Sequence, residues 1–368
     1  MKALTLYAWN WSRNTALRAV RWYHGRREPD PFLAQIAAAR SYRRLEELVV
    51  GPVEAALTLP RRWRLPGIRD CASGAGVTAV DAHWSGHTIR GKFFLSRQES
   101  LDYIRELTDG RPYKRALLGL HGPHEGRTIL DYGCGPGNDL AGFAEYSGAR
   151  KIIGVDISLR ALRMARARVS WHARDPRALE FIRIGDNDPL PLADASVDYA
   201  QSLGVIHHAS NPAFVLKELA RVLKPGGELR VMLYNADSVH IQLTVGYVWR
   251  FVESLTPGLD AEQAFQKTAD HGAPVAHCVR PADVRRWAEG SGLQVQYLGG
   301  YFVPGERESH ERYAAQALAD PRLPAAQAQF LRALVPDSNG YPSYQGLPAG
   351  LGGVYKFTKP LPPPGTTS

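Results

Sequence analysis

Apolar and polar positions along the chain fall into two alternating periods between residues 128 and 234. Short apolar runs of strand length (TIL, KIIGV, EFIRI, VDYA and ELRVML) are separated by stretches whose apolar residues recur three or four apart. The pattern predicts strands at 128–133, 151–156, 180–185, 197–202 and 228–234, with helices at 138–147, 158–171 and 211–223. Ser158 suits a helix N-cap and Pro212 a first helical position, and Pro225-Gly226-Gly227 ends the third helix. Alternating strands and helices imply a parallel sheet covered on both faces. Right-handed crossovers then bring every strand's C-terminal end to one edge, where ligands bind.

After Tyr234 the alternation stops. Residues 236–279 read as an insertion, with IQLTVGYVWRFVESL helical, and are placed to cap the ligand-binding edge. A helix at 281–292 and a strand at 294–302 follow, then a second insertion at 304–352 and a last strand at 354–359. The tail PLPPPGTTS suits an extended or disordered end.

Before residue 96 the pattern is weaker. Residues 1–25 mix Trp9, Trp11 and Trp22 with Arg13, Arg18 and Arg21. Such a helix suits peripheral contact with an anionic membrane, or docking on the main domain or on a second subunit of a homodimer. Docking is the favoured reading. A helix is expected over 31–50, loop over 60–76 and a small hairpin over 77–94 turning at Gly86. Asp81, His83 and His87 match no metal-ligand spacing and read as surface residues, so no metal site is expected. Ser96 and Glu99 form an S-x-x-E pattern that opens a helix at about 97–108.

Composition narrows the class. The 368 residues are 44% hydrophobic and 22% charged, as in a soluble globular protein with a full core. Cys71, Cys134 and Cys278 are widely spaced and odd in number, so neither a disulfide framework nor a zinc site is expected, which favours a reducing, cytoplasmic setting. No apolar run has the length of a membrane span, and the N-terminal residues do not read as a secretory signal. Net charge is +9, and residues 1–70 hold 13 Lys/Arg against 6 Asp/Glu, so 13 − 6 = 7 of those charges sit there. The rest is nearly neutral.

Candidate chemistry concentrates at TILDYGCGPG, residues 128–137. A strand ends at Asp131, Gly133, Gly135 and Gly137 follow at alternate positions, and a helix begins. Glycine lets backbone approach a ligand, and a helix start can hold an anion. The next strand ends at Asp156, 19 residues past Gly137, where a carboxylate can accept both hydroxyls of a ribose. The spacing is G-x-G-x-G rather than the G-x-G-x-x-G of nicotinamide dehydrogenases.

With DYGCGPG and GVDIS, the sequence resembles the class I S-adenosylmethionine-dependent methyltransferases, in the style of the small-molecule quinone-biosynthesis enzymes. The resemblance covers roughly residues 95–303 and 353–359. It implies a doubly wound, Rossmann-like, seven-stranded α/β sheet whose last strand is antiparallel and inserted beside its predecessor. The chain then divides into a basic, aromatic-rich, mainly helical extension (1–95), a methyltransferase core (96–303) with a lid insertion at about 236–279, a second insertion (304–352), and the last strand with its tail (353–368).

The implied cofactor is S-adenosylmethionine. The loop from Asp131 through Gly133, Cys134, Gly135 and Gly137 to Asn138 would take its methionine end, and Asp156 its ribose. Ile157 would pack on adenine. Asp186 would accept from the adenine amino group, with the Asn187 backbone near a ring nitrogen, although family members more often carry a small residue at that position. Ser202, Leu203 and Gly204 would line the cofactor through backbone, and Tyr103, Arg111 and Tyr113 are candidates to close over it.

His207 and His208, in SLGVIHHASNP, enter the acceptor side as candidates for a general base or an orienter. His240, His271 and His277 are weaker candidates. The aromatics Tyr234, Tyr247 and Trp249 would suit a sugar, a polyketide or a lipid-linked acceptor. The reading is therefore methyl transfer to a small molecule, at oxygen of a sugar, phenol or natural product. The alternatives are C- or N-methylation of a quinone, lipid or nucleic acid, and a non-catalytic scaffold. SLGV replaces the Asp/Asn-Pro-Pro-aromatic turn of base-amino methyltransferases, so no nucleic-acid partner is expected.

Overall fold

The computed structural model describes residues 66–73, 78–92, 94 and 96–362. The tryptophan–arginine segment, the helix expected over 31–50 and residues 363–368 lie outside the described residues. In chain order come β1 (Ile68–Asp70), α1 (Ala79–Gly86), α2 (Arg97–Asp109), α3 (Lys114–Leu118), β2 (Thr128–Tyr132), α4 (Asn138–Tyr146), β3 (Lys151–Asp156), α5 (Leu159–Val169), β4 (Leu179–Arg183), β5 (Val197–Leu203), α6 (Pro212–Val222) and β6 (Leu223–Asn235). A π-helix (His240–Val252), α7 (Ala261–Thr268), β7 (Cys278–Val279), α8 (Pro281–Ala288) and β8 (Gln294–Tyr301) follow. The chain then forms α9 (Glu306–Ala319), α10 (Ala325–Arg332), β9 (Val335–Pro336), β10 (Pro342–Tyr344), β11 (Leu347–Pro348) and β12 (Gly352–Thr358).

The main sheet runs β1-β4-β3-β2-β5-β6-β12-β8, with β7 beside β6. Strands β1 to β7 pair in parallel, whereas β12 runs antiparallel between β6 and β8. Seven of these strands are the expected fold, and β1 and β7 extend it. Successive residues of each central strand point to opposite faces. Ile129, Ile152, Phe181 and Tyr199 pack with α2, α4 and α5, while Leu130, Ile153, Ile182 and Ala200 pack with α6 and α8. Burial on both faces explains why these strands read as unbroken apolar runs.

Two expectations fail before residue 96. Residues 79–86 form α1 and not a hairpin. Thr78 Oγ1 accepts from Asp81 N (3.0 Å) and Asp81 Oδ2 from Thr78 N (3.0 Å), and this reciprocal cap fixes a helix start that loose alternation hides. The loop expected over 60–76 contains β1, which adds to β4 at the sheet edge and is too short to show a period. By contrast, Ser96 accepts from Glu99 N (3.1 Å), Ser158 from Ala161 N (3.3 Å), and Pro212 follows the N-cap Asn211, as expected.

The two insertions fold together. The π-helix is apolar on opposite sides: Leu243, Tyr247 and Val248 pack with Phe302, Phe330 and Leu331, while Ile241 and Val245 pack with Ala264, Phe265 and Leu351. A Cβ on Gly246 would come within 1.8 Å of Gln327 Nε2, so glycine lets α10 approach. The Glu306 carboxylate, 1% exposed, ties both insertions to the sheet. It accepts from His240 N (3.1 Å), Val303 N (2.6 Å) and Leu351 N (3.0 Å). Burial pushes its pKa up to about 8, against the pull of those three donors.

Candidate active site

At the C-terminal edge of the sheet a cavity of about 330 Å³ is walled by β2, β3, β5, β6 and β8 ends, α1 and the first insertion. One side is the glycine turn after β2. All three glycines have positive φ, but they do different things. A Cβ on Gly133 would lie 2.3 Å from Val205 Cγ2, and one on Gly137 would lie 2.8 Å from Ala165 Cα. Around Gly135 a Cβ would meet nothing within 4 Å and would enter the cavity.

The loop is held by its own N–H groups. Gly133 N and Cys134 N donate to the Val155 carbonyl (2.7 and 2.9 Å), Gly137 N to the Cys134 carbonyl (3.1 Å), and Gly135 N to Asp156 Oδ2 (2.8 Å). These donors therefore brace the turn on β3 rather than pointing at a ligand. Asp156 Oδ1 accepts from Ser158 N (2.8 Å). Burial raises its pKa above the usual carboxylate range, and the N–H bonds oppose that.

Asp131 is buried, with Gln201 Nε2 at 3.2 Å from its Oδ1. Burial drives this carboxyl well above the usual range, with Asp139 and Asp156 adding to the effect and Gln201 opposing it. A cation placed beside it would reverse the shift. Asp139, also on the cavity wall, is pushed up by burial but drawn to about 2 by His121 and Lys114.

The other side carries a polar cluster. The Tyr234 hydroxyl, at the end of β6, donates to Asp270 Oδ2. His208 Nε2 lies 3.0 Å from the same oxygen, and His208 Nδ1 lies 2.5 Å from the Val275 carbonyl. His83 Nε2 reaches the Asp270 carbonyl at 3.2 Å, and the Trp84 ring meets His208 edge-on at 4.8 Å. Asp270 takes a positive φ of 44°, a conformation that Asp tolerates better than most residues. Burial raises the Asp270 carboxyl, but the bonds from His208 and Tyr234 prevail and lower it.

The structure brings most of the expected residues together. Asp131, Gly133, Cys134, Gly135, Asn138, Asp156, Ile157, Asp186, Leu203, Gly204 and His208 all line the cavity. Gly137 stands behind the turn against α5, Ser202 is wholly buried within β5, and neither it nor Asn187 is on the cavity wall. The Asp186 carboxylate takes hydrogen bonds from the Ser210 hydroxyl and from Ser210 N (3.3 Å), while its backbone N–H goes to Asp81 Oδ1 (2.9 Å).

His207 sits behind His208, fully buried and stacked on Tyr234 with ring centroids 3.9 Å apart. Burial and the two neighbouring imidazoles hold its basicity well below the ordinary histidine value. Tyr103 packs against Phe94, and the Tyr113 hydroxyl turns to Asp337, so neither ring is on the wall, nor is Arg111. Of the three aromatics singled out, only Tyr234 reaches the cavity: Tyr247 is buried with its hydroxyl 3.1 Å from Asp320, and Trp249 packs on His240.

Sequence reasoning missed Trp84, Arg90, Lys114, Asp139, Asp270 and Tyr301. Tyr301 ends a predicted strand, and Asp139 follows the glycine turn by two residues; both positions carried a usable signal. The others arrive from segments with no motif. Among the described residues no cluster of His, Cys, Asp or Glu is arranged to hold a metal ion, and no helix is long and apolar enough to cross a membrane.

The donor set fits S-adenosylmethionine. Asp131 is a buried carboxylate with one neutral donor, suited to an ammonium, and Asp156 stands beside an open space kept clear by Gly135. Residues 130–231 match a family described as a methyltransferase domain. The chain is 34% identical over 204 residues to an uncharacterized 37.1 kDa protein in transposon TN4556 of Streptomyces fradiae, covering 54% of each. It thus spans about half the length of that relative. It is 25% identical over 197 residues to the ubiquinone biosynthesis O-methyltransferase of Thiobacillus denitrificans, covering 54% of this chain and 77% of that one. Over 118 residues it is 39% identical to the arsenite methyltransferase of Aquipseudomonas alcaligenes, covering 31% and 34%. The last two are named for different acceptors. The glycine turn, the acid that follows it on β3 and the matched domain agree: residues 130–231 form a methyltransferase domain of the class I, S-adenosylmethionine-dependent kind.

Proposed function

We propose that the chain transfers a methyl group from S-adenosylmethionine to an oxygen of a small-molecule acceptor. The observation that carries this reading is a single cavity with Asp131, Gly135 and Asp156 on one side and Tyr234, Asp270 and His208 on the other. The bound cofactor supplies a methyl group already activated on a sulfonium. The protein's own tasks are alignment, exclusion of water and acceptance of the acceptor's proton.

In this reading Asp156 accepts from the ribose hydroxyls, Asp131 pairs with the ammonium, and Ile157 packs on adenine. Asp186 turns to the adenine amino group, and Cys134, Asn138 and Leu203 shape the walls. His208 is the better placed of the two histidines, because it lines the cavity and His207 does not. A proton held at Nδ1 satisfies the Val275 carbonyl, and Nε2 exchanges its contact with Asp270 Oδ2 for the acceptor's hydroxyl as it takes that proton. The adjacent Asp270 carboxylate steadies the imidazolium so formed. A small oxygen acceptor is further supported by the aromatic lining of Trp84, Tyr234 and Tyr301, and by one relative's being named an O-methyltransferase.

Calorimetry of the full chain with S-adenosylhomocysteine tests the cofactor assignment; no binding ends it. Transfer of labelled methyl to a panel of phenols, quinols and sugars tests the acceptor class. His208→Gln should lower kcat by about 10²–10⁴-fold with cofactor affinity intact, whereas His207→Phe should leave kcat near that of the parent. The reverse ranking would remove His208 from the mechanism.

A further inference from the structure

Two cations line the cavity with no ion pair among the described residues, although Asp139 acts on Lys114 and Asp270 on Arg90 at longer range. Lys114 is 4% exposed and lines the cavity. Its Nζ donates to the Leu107 carbonyl (3.1 Å) and lies 6.0 Å from the centroid of the Tyr301 ring. No ion pair to it occurs among the described residues. Arg90 lines the same wall, and its guanidinium likewise has no ion pair or hydrogen bond there. Behind them Arg111 bonds the same Leu107 carbonyl through Nη1 (2.9 Å), and its buried Nε has no hydrogen-bond partner.

An ammonium taken out of water needs compensation. The fold nevertheless delivers Lys114 to this place. The preceding Tyr113 takes a positive φ of 68°, rare for an aromatic residue. It is held there by its hydroxyl bond to Asp337 and by edge contact with Tyr341 at 5.6 Å, both from the second insertion. Backbone kept in such a conformation by distant contacts is a frequent feature of ligand sites.

We propose that Lys114 and Arg90 form an anion subsite, and that the acceptor is a hydroxylated, flat or apolar molecule bearing a carboxylate or phosphate group. The proposal rests on the methyl-transfer reading above. S-adenosylmethionine carries a sulfonium, an ammonium and one carboxylate, so loading it adds one net positive charge; the wall's five aspartates (Asp131, Asp139, Asp156, Asp186 and Asp270) face the cofactor groups or the His208 cluster, and none forms an ion pair with Lys114 or Arg90 among the described residues. An anionic acceptor would pair with these two cations. The guanidinium of Arg90 can grip it in a fork, and Lys114 supplies a second point of attachment. Trp84, Tyr234 and Tyr301 would hold the body of the molecule and His208 its hydroxyl.

The experiment uses the full chain saturated with S-adenosylhomocysteine. Calorimetry measures binding of matched hydroxybenzoates, hydroxyphenyl phosphates and neutral hydroxybenzamides to the parent, Lys114→Met and Arg90→Gln. At least one anionic series should bind the parent about tenfold or more tighter than the amides, as expected for a charge-assisted hydrogen bond. Each variant should lose that preference while keeping its amide affinity, which shows that it is folded. Absence of any anion preference in the parent, or its survival in both variants, overturns the proposal.

The rival source of a carboxylate is the cofactor's own methionine end. Titration with S-adenosylhomocysteine and with methylthioadenosine, which lacks that end, separates the two. Equal affinities in parent and Lys114→Met support the acceptor subsite. A loss confined to S-adenosylhomocysteine assigns Lys114 to the cofactor and overturns it. If the parent binds no S-adenosylhomocysteine at all, the methyltransferase reading itself has failed.

Discussion

Gly133, Gly135 and Gly137 share a left-handed backbone, with φ of 75°, 51° and 78°, so alanine carries a similar local strain at each, about 1–2 kcal/mol. What surrounds them differs. At Gly135 the added methyl enters the cavity and touches no protein atom within 4 Å. Gly135→Ala should therefore lose only the local strain, which for a domain of this size lowers Tm by roughly 2–8 °C. At Gly133 the methyl would sit 2.3 Å from a branched Val205 side chain with little rotamer freedom, and at Gly137 2.8 Å from the Ala165 backbone. Overpacking adds about 1–3 kcal/mol to each. Gly133→Ala and Gly137→Ala should thus melt several degrees below Gly135→Ala. Cofactor affinity should rank the other way among folded protein, with Gly135→Ala losing most, because its methyl occupies ligand space. Thermal melts and calorimetry with S-adenosylhomocysteine read both quantities on the same samples. The reasoning fails if Gly135→Ala binds within threefold of the parent, or if all three variants melt together.

Asp156→Asn places an amide where both oxygens already accept an N–H at 2.8 Å, so it leaves fewer acceptors for a ribose; two charge-assisted bonds are worth about 3–6 kcal/mol. S-adenosylhomocysteine affinity should fall by two to four orders of magnitude, and a change under tenfold would refute the ribose assignment. Glu306→Gln turns one acceptor into a donor facing the N–H groups of His240, Val303 and Leu351, and should destabilise the fold by about 1–3 kcal/mol in a urea melt; an unchanged midpoint refutes the tie. Burial, with Arg111 and Arg90 in support and Asp139 opposing, pulls Lys114 down to about 8. Its charge is present below that value and is lost as pH rises through it, so the preference for anions over amides should shrink above about 8. A preference unchanged two units higher would remove Lys114 from the subsite.

The side assigned to the cofactor was legible in the sequence because it is built locally. Asp131, the glycine turn and Asp156 lie within one βαβ unit, and the apolar runs around them carry both faces of the sheet at once. Ile129 and Leu130 go to opposite cores, as do Ile152 and Ile153, so each run announces a strand buried on both sides. Even there, the sequence did not reveal that the turn's N–H groups would be taken up by Val155 and Asp156, because that depends on how closely β2 and β3 approach. The acceptor side was illegible because nothing in it is local. His208 meets Asp270 across 62 residues, and Tyr113 is turned by Asp337 across 224. The helix that brings Trp84 to the wall is only eight residues long and is marked by a single cap.

This division of labour has a consequence for the molecule. The groups assigned to the cofactor are braced by β2, β3 and α4, whereas those facing the acceptor hang on α1, the turn before α3 and two insertions that share a core of their own. A substitution in that shared core, such as Phe330→Ala, moves Asp337 and Tyr341 before it can move Asp156. It should therefore alter KM for the acceptor while leaving S-adenosylhomocysteine affinity within twofold of the parent. A matched loss of both would show that the insertions support the whole cavity and not its acceptor half alone.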